Sequence, residues 1–199
     1  MLHAVERLNL QRCHFDQIEE VREIAQGETF IVSECQYEGQ AVAVKHVRLQ
    51  KTANSGERDA FQRRLRSVLR EISIMRHSPV GHHPNIINLL GYGWRMQESR
   101  PAPYVVLEFG SKGSLRSYLS STKNLTAKTK MAFGGDVASG LMVLHHCGIV
   151  HGDLKLDNVI VFPSLDRPSG YIAKISDFGH SILLNSDDGP RLKYCGTTL

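Results

Sequence analysis

Between His151 and Gly179 the sequence reads HGDLKLDNVIVFPSLDRPSGYIAKISDFG. It carries a carboxylate, an ammonium, an amide and a second carboxylate in fixed order: Asp153, Lys155, Asn158 and Asp177. A short apolar run, Val159 to Phe162, breaks into a turn rich in Pro and Gly, and a second run, Tyr171 to Ile175, leads back to Asp177. This pattern predicts a hairpin. Its two outer ends would set Asn158 and Asp177 side by side, where one hard divalent cation could take an oxygen from each and share itself with phosphates. Such a layout suits phosphoryl transfer.

These residues resemble the catalytic loop and the following D-F-G motif of the protein kinase family. Every defined letter of the motif is present except one: Gly152 stands where the family usually has Arg. The resemblance extends upstream. Val42-Ala43-Val44-Lys45 is similar to the strand whose lysine pairs the α- and β-phosphates of ATP. From Glu57 to Met75, apolar residues fall at Phe61, Leu65, Val68, Leu69, Ile72 and Met75, a helical recurrence. Glu71 lies at the edge of that stripe, where a buried carboxylate needs a cation. Its partner is either Lys45, as in the family's αC helix, or a neighbouring Arg70 or Arg76 on the solvent side.

Ahead of these, VREIA, TFIVSECQY and AVAVKHVRL read as short strands of an antiparallel meander, with Glu38-Gly39 as a hairpin turn. The first connection, AQGETF, occupies the place of the family's glycine-rich phosphate loop. Of three glycines only Gly27 is kept, with Ala25 and Phe30 at the outer positions. Glycine serves there because backbone amides must approach phosphate oxygens without a Cβ in the way. The departure weakens the expectation of tight nucleotide binding, and Phe30 is a candidate cap over the phosphates. His82-His83-Pro84-Asn85 reads as a turn rather than a metal site, because no further ligand recurs at metal spacing. Strands are expected at Asn88 to Trp94 and Tyr104 to Phe109, then helices led by Ser114 and by the stripe Phe133, Val137, Leu141 and Leu144.

The resemblance implies a role for each residue. Asp153 would orient the attacking hydroxyl, Lys155 would neutralise charge on the moving phosphate, and Glu71 would hold Lys45. Asn158 and Asp177 would hold Mg2+. Ala25, Gly27, Val32, Ala43, Lys45, Leu107, Glu108, Gly110, Ile160 and Asp177 would surround ATP, with Leu107 as gatekeeper and Glu108 to Gly110 as the hinge. Lysine within DLKLDN resembles kinases acting on Ser or Thr of protein substrates. Gly152 removes the cation that in many kinases receives a phosphorylated activation segment, so regulation by another route is implied.

Composition sets outer bounds. The 199 residues are 41% hydrophobic and 22% charged, which fits a globular chain rather than a disordered one. Four scattered cysteines suggest reduced thiols and a cytoplasmic setting. No apolar run approaches the roughly 20 residues of a membrane span, and no secretory leader is evident. Basic residues concentrate between Lys45 and Arg76, but only Phe61 interleaves them, which favours a solvated helix face over nucleic-acid binding.

The resulting expectation is an α+β, protein-kinase-like fold: an antiparallel five-stranded sheet plus αC in the N-lobe, and the first part of a helical C-lobe. The divisions are an extension at 1–20, either packed on the small lobe or loose, the N-lobe and hinge at 21–110, and a partial C-lobe at 111–199. The sequence ends before the family's A-P-E motif, so Leu141, Leu144 and their neighbours are expected to expose an apolar face, of a kind that marks either a protein-partner surface or an aggregation hazard. The leading functional expectation is an ATP-dependent Ser/Thr protein kinase domain. The second is a pseudokinase scaffold, suggested by the eroded glycine loop.

Overall fold

A computed structural model gives the fold, in which residues 11–27, 30–47, 56–97 and 100–184 are described. The chain divides into two compact units, one of Met1–Arg76 with Asn88–Phe109 and one of His77–Ile87 with Gly110–Leu199.

The first unit is built on strands β1 (Ile18–Gln26), β2 (Phe30–Tyr37), β3 (Gln40–Val47), β4 (Leu89–Gln97) and β5 (Arg100–Glu108). They form one antiparallel sheet in the order β1-β2-β3-β5-β4. The β2–β3 hairpin closes through Glu38 and Gly39, both with positive φ (49° and 75°), the twist that a two-residue hairpin loop requires. Side chains alternate between faces. One face carries Cys35, Tyr37, Val42, Val44, Tyr104 and Val106, which form a buried core with Cys13. The other carries Val32, Ala43, Lys45 and Leu107, in register with one another across the three strands. Helix α1 (Gly56–Arg76) lies against β4 and β5 through its buried Leu65, Val68, Ile72 and Met75.

β1 begins at Ile18, ahead of the Val21 expected from the sequence, and the residues before it are ordered by backbone pairing. The Cys13 amide donates to the Tyr92 carbonyl (2.9 Å) and the Tyr92 amide to the Gln11 carbonyl (3.2 Å), on the edge of β4 that β5 leaves open. The buried Tyr104 hydroxyl donates to the Cys13 carbonyl (2.7 Å), and the Phe15 ring meets the Tyr104 ring edge-on. Residues 11–17 therefore pack on the sheet; residues 1–10 lie outside the described part.

In the second unit, α2 (Leu115–Ser121) and α3 (Ala127–His146) support a hairpin of β7 (Val159–Pro163) and β8 (Tyr171–Ile175). β6 (Ile149–Val150) pairs with β9 (Ile182–Leu183). Ser114 and Thr126 cap the two helices, their hydroxyls accepting from the Ser117 and Thr129 amides. Leu115, Tyr118, Phe133, Val159, Val161 and Ala173 form the core. Residues 77–87 join this unit through Asn85, whose side-chain amide donates to the Ala173 carbonyl and whose own carbonyl accepts from Ile175. His83 serves that turn: its Nδ1 accepts the Asn85 amide (3.2 Å).

One expectation fails here. Leu144 is fully buried inside the second unit and Leu141 half-buried, because α3 turns that stripe inward. Open apolar surface lies toward the start of the same stripe, in a groove of about 630 Å³ lined by Leu119, Leu125, Phe133, Val137 and Leu156, and at the exposed Met142.

Two stability predictions follow from the first unit. An ideal Cβ at Gly93 would collide with the Tyr104 hydroxyl and lie 2.6 Å from the Cys13 carbonyl. Gly93→Ala should therefore cost about 1–3 kcal/mol in urea denaturation through overpacking. Burial, aided by Arg95, pushes the His46 pKa down to about 4. Below its unfolded value of roughly 6.5 the denatured state binds the proton and the native state does not. Stability should be unaffected above that pH and fall by about 2–3 kcal/mol as pH drops to 4, a loss that His46→Gln should reduce in acid denaturation.

Candidate active site

Lys45 is buried on β3. β3 pairs it with Val32 on one side and Val105 on the other. Its Nζ donates to both carboxylate oxygens of Glu71, at 3.1 and 2.9 Å. The side chains are 7% and 1% exposed. A lysine and a glutamate this deeply buried persist only when each is paired and hydrogen-bonded. Glu71 thus meets the strand lysine, and the reason is burial: its carboxylate faces the sheet. Nζ also stands 4.6 Å from the centroid of the Phe30 ring.

Around that pair, Ala43 and Leu107 are buried and Val32 is half-buried on the same sheet face. Ala25, near the end of β1, is exposed. The Gly27 amide donates to the Phe30 carbonyl (2.8 Å), which closes the β1–β2 turn; Glu28 and Thr29 lie outside the described residues. The Glu108 amide donates to the Asn88 carbonyl, and its carboxylate accepts from the Asn88 amide (2.7 Å).

In the second unit a network of hydrogen bonds shapes the loop from His151 to Asn158. His151 Nε2 donates to the Ser176 carbonyl (3.0 Å), and its Nδ1 accepts from the Asp153 amide (3.3 Å). Burial lowers the His151 pKa from its ordinary value, against the opposing pull of the Ser176 bond and the Asp177 and Asp153 carboxylates. The ring is therefore neutral near pH 7, as one donating and one accepting nitrogen require. The Asn158 side-chain amide donates to the Asp153 carbonyl (2.8 Å) and to its Oδ2 (3.1 Å). Lys155 Nζ lies 2.9 Å from the same Oδ2. Asp153 is thus held between an amide and an ammonium.

The β7–β8 register sets Val159 opposite Ile175, and the Ser176 amide donates to the Asn158 carbonyl (2.8 Å). Asn158 and Asp177 consequently flank the same end of the hairpin. Asp177 takes the left-handed conformation (φ 63°, ψ 76°), its Oδ1 accepting the Gly179 amide at 3.4 Å. Because Asn158 uses its nitrogen toward Asp153, its oxygen is the atom suited to a metal. An amide oxygen beside a carboxylate is the hard donor set Mg2+ takes, so these residues fit the ion. Ile160 is half-buried on β7, close against Gly110, which has no room for a Cβ on that side.

Gly152, where the family has Arg, has φ +80°, and a Cβ there would collide with the His180 carbonyl. Asp136 belongs to no motif of the sequence. It is 3% exposed on α3, accepts the Ala173 amide (2.9 Å) and pairs with Arg167 (2.7 Å), anchoring β8 to the helix. An acid three residues after Phe133, on the stripe itself, was the available signal.

The chain matches the family model described as Protein kinase domain over residues 18–199. The chain belongs to the protein kinase domain family. Among its relatives, NUAK family SNF1-like kinase 1 of Homo sapiens is 30% identical over 163 residues, 82% of this chain and 22% of that protein. NUAK family SNF1-like kinase 2 of Rattus norvegicus is 35% identical over 162 residues, 81% and 22% respectively. Mitogen-activated protein kinase kinase kinase dlk-1 of Caenorhabditis elegans is 29% identical over 183 residues, 92% and 16%. The chain thus spans about a fifth of the length of these relatives. Among the described residues, no helix is long and apolar enough to cross a membrane.

Gly152→Arg, which restores the family's residue, should cost about 1–3 kcal/mol in urea denaturation, because it combines a positive φ with a backbone clash.

Proposed function

We propose that this chain carries the phosphotransfer chemistry of an ATP-dependent protein kinase acting on Ser or Thr hydroxyls of proteins. The observation that carries this reading is the paired, buried Lys45 and Glu71 in a chain that also keeps the Asp153–Lys155–Asn158 cluster. The family uses ATP and Mg2+ generally. In this chain Lys45 would hold the nucleotide phosphates. Val32, Ala43, Leu107 and Ile160 would provide apolar contacts to the base, while Glu108 and Gly110 provide backbone ones. Ala25 and Gly27 belong to the strand turn that would border the phosphates. Asn158 and Asp177 would hold the metal, which neutralises phosphate charge when bound.

The chemical step follows from the cluster. The Asp153 carboxylate, fixed by Asn158, would accept a hydrogen bond from the substrate hydroxyl and align its oxygen with the phosphate. Lys155, about one-third exposed, would supply positive charge to the phosphoryl oxygens as that charge develops. The ranges 1–20, 21–110 and 111–199 would serve as extension, nucleotide-holding part and catalytic part, with His77–Ile87 folding into the second unit. A cytoplasmic setting is part of the same reading, as is a protein partner, for which the open groove of the second unit is the supporting observation.

A second reading, a nucleotide-binding scaffold without phosphotransfer, is favoured by one feature: Phe30 and Ala25 stand in place of two phosphate-loop glycines. Titration with ATP and Mg2+ in a thermal-shift assay separates the cases. At 100 times Kd the nucleotide should stabilise the chain by about 2.7 kcal/mol, and the gain should vanish in Lys45→Met and Asp177→Asn. Transfer of labelled phosphate to a Ser/Thr protein substrate, reduced about 10²–10⁴-fold in Asp153→Asn, would establish catalysis. Binding without transfer would leave the scaffold, and absence of both would overturn the proposal.

A further inference from the structure

In an antiparallel pair, residues offset by two on the same face lie within reach of an aromatic side chain. Phe30 stands opposite Val47 and Val32 opposite Lys45, so Phe30 and Lys45 are such diagonal neighbours. The ammonium lies 4.6 Å from the Phe30 centroid, inside the range of about 6 Å at which the ring's negative face attracts a cation. The attraction is larger out of water, and the Lys45 side chain is 7% exposed. One flank of the ammonium meets two carboxylate oxygens and another meets an aromatic face. Both act on the same charge, and both limit the directions in which a four-carbon stem can carry it.

We infer that Phe30 is a positioning residue for Lys45, its ring holding the ammonium in the Glu71 pair at the place where the phosphate loop has lost a glycine. The functional relevance of this inference rests on Lys45 being the phosphate-binding lysine. A glycine at position 30 would let an anion approach the backbone amide with no Cβ in the way. Phenylalanine instead stiffens the cation that meets it. Filling space alone would not require an aromatic: leucine has comparable bulk and no ring quadrupole, whereas tryptophan is bulkier and has the stronger one. The two roles therefore rank substitutions in opposite order.

The test compares Phe30→Leu and Phe30→Trp with the unmodified chain, each first shown folded by circular dichroism. Without nucleotide, proton exchange of the Lys45 ammonium is followed by nitrogen-15 NMR, its resonance assigned through Lys45→Arg. Exchange should quicken about fivefold or more in the leucine variant and stay near the original in the tryptophan variant. The upfield ring-current shift of the Lys45 ε-methylene protons should disappear only with leucine. With ATP and Mg2+, the leucine variant should bind about five- to tenfold more weakly and the tryptophan variant within about twofold. Unchanged exchange and Kd in Phe30→Leu, or tryptophan behaving like leucine, would overturn the inference. If the unmodified chain binds no ATP while exchange still separates leucine from tryptophan, the kinase reading fails and the positioning role of Phe30 stands.

Discussion

The buried pair of Lys45 and Glu71 is the constraint on which the first unit depends. Removing two unit charges from water costs several kcal/mol each, and their attraction offsets that cost only with close, hydrogen-bonded geometry. The contacts at 2.9 and 3.1 Å supply it. This demand propagates outward. β3 must keep its register with β2 and β5, because a slip of one residue would turn Lys45 to the opposite face. α1 must present Glu71 beside Val68, Ile72 and Met75 rather than one position around the helix. The residues that pin the sheet, from Tyr104 to the strand-edge pairing of Gln11 and Cys13, secure that register from the far face.

In the second unit the corresponding constraint is polar satisfaction rather than charge pairing. Outside β7 and β8, the backbone from His151 to Asp177 has little regular structure, so its donors and acceptors need individual partners. Ser181 Oγ donates to the His151 carbonyl, Ser176 Oγ to the Asn158 carbonyl, and His151 to Ser176. Each bond ties the 151–158 loop to the segment that carries Asp177. The same contacts that satisfy buried backbone thus fix the spacing of Asp153, Asn158 and Asp177.

The sequence was most legible where chemistry and periodicity coincide. The strand carrying Lys45, the stripe that placed Glu71 at its edge, and the runs around the 163–171 turn were readable because alternation, helical recurrence and turn residues are local signals. What escaped depends on distant partners. Residues 11–17 have no pattern of their own, and only β4's open edge gives them a place. Leu144 looked exposed because a stripe does not say how far its surroundings close over it. Asp136 looked like an ordinary helix acid until β8 supplied the Ala173 amide. The aromatic contact of Phe30 could not be read from its position in a worn glycine motif, since it arises from the diagonal offset across two strands.

The eleven residues from His77 to Ile87 belong with a body whose remaining parts are synthesised much later. Asn85 waits 88 positions for Ala173, so during synthesis this turn emerges without the strand that completes it. The two units therefore cannot be separated by a single cut in the gene. Any attempt to express the second unit alone must carry this short piece with it or leave the Ala173 carbonyl and the Ile175 amide without their partners.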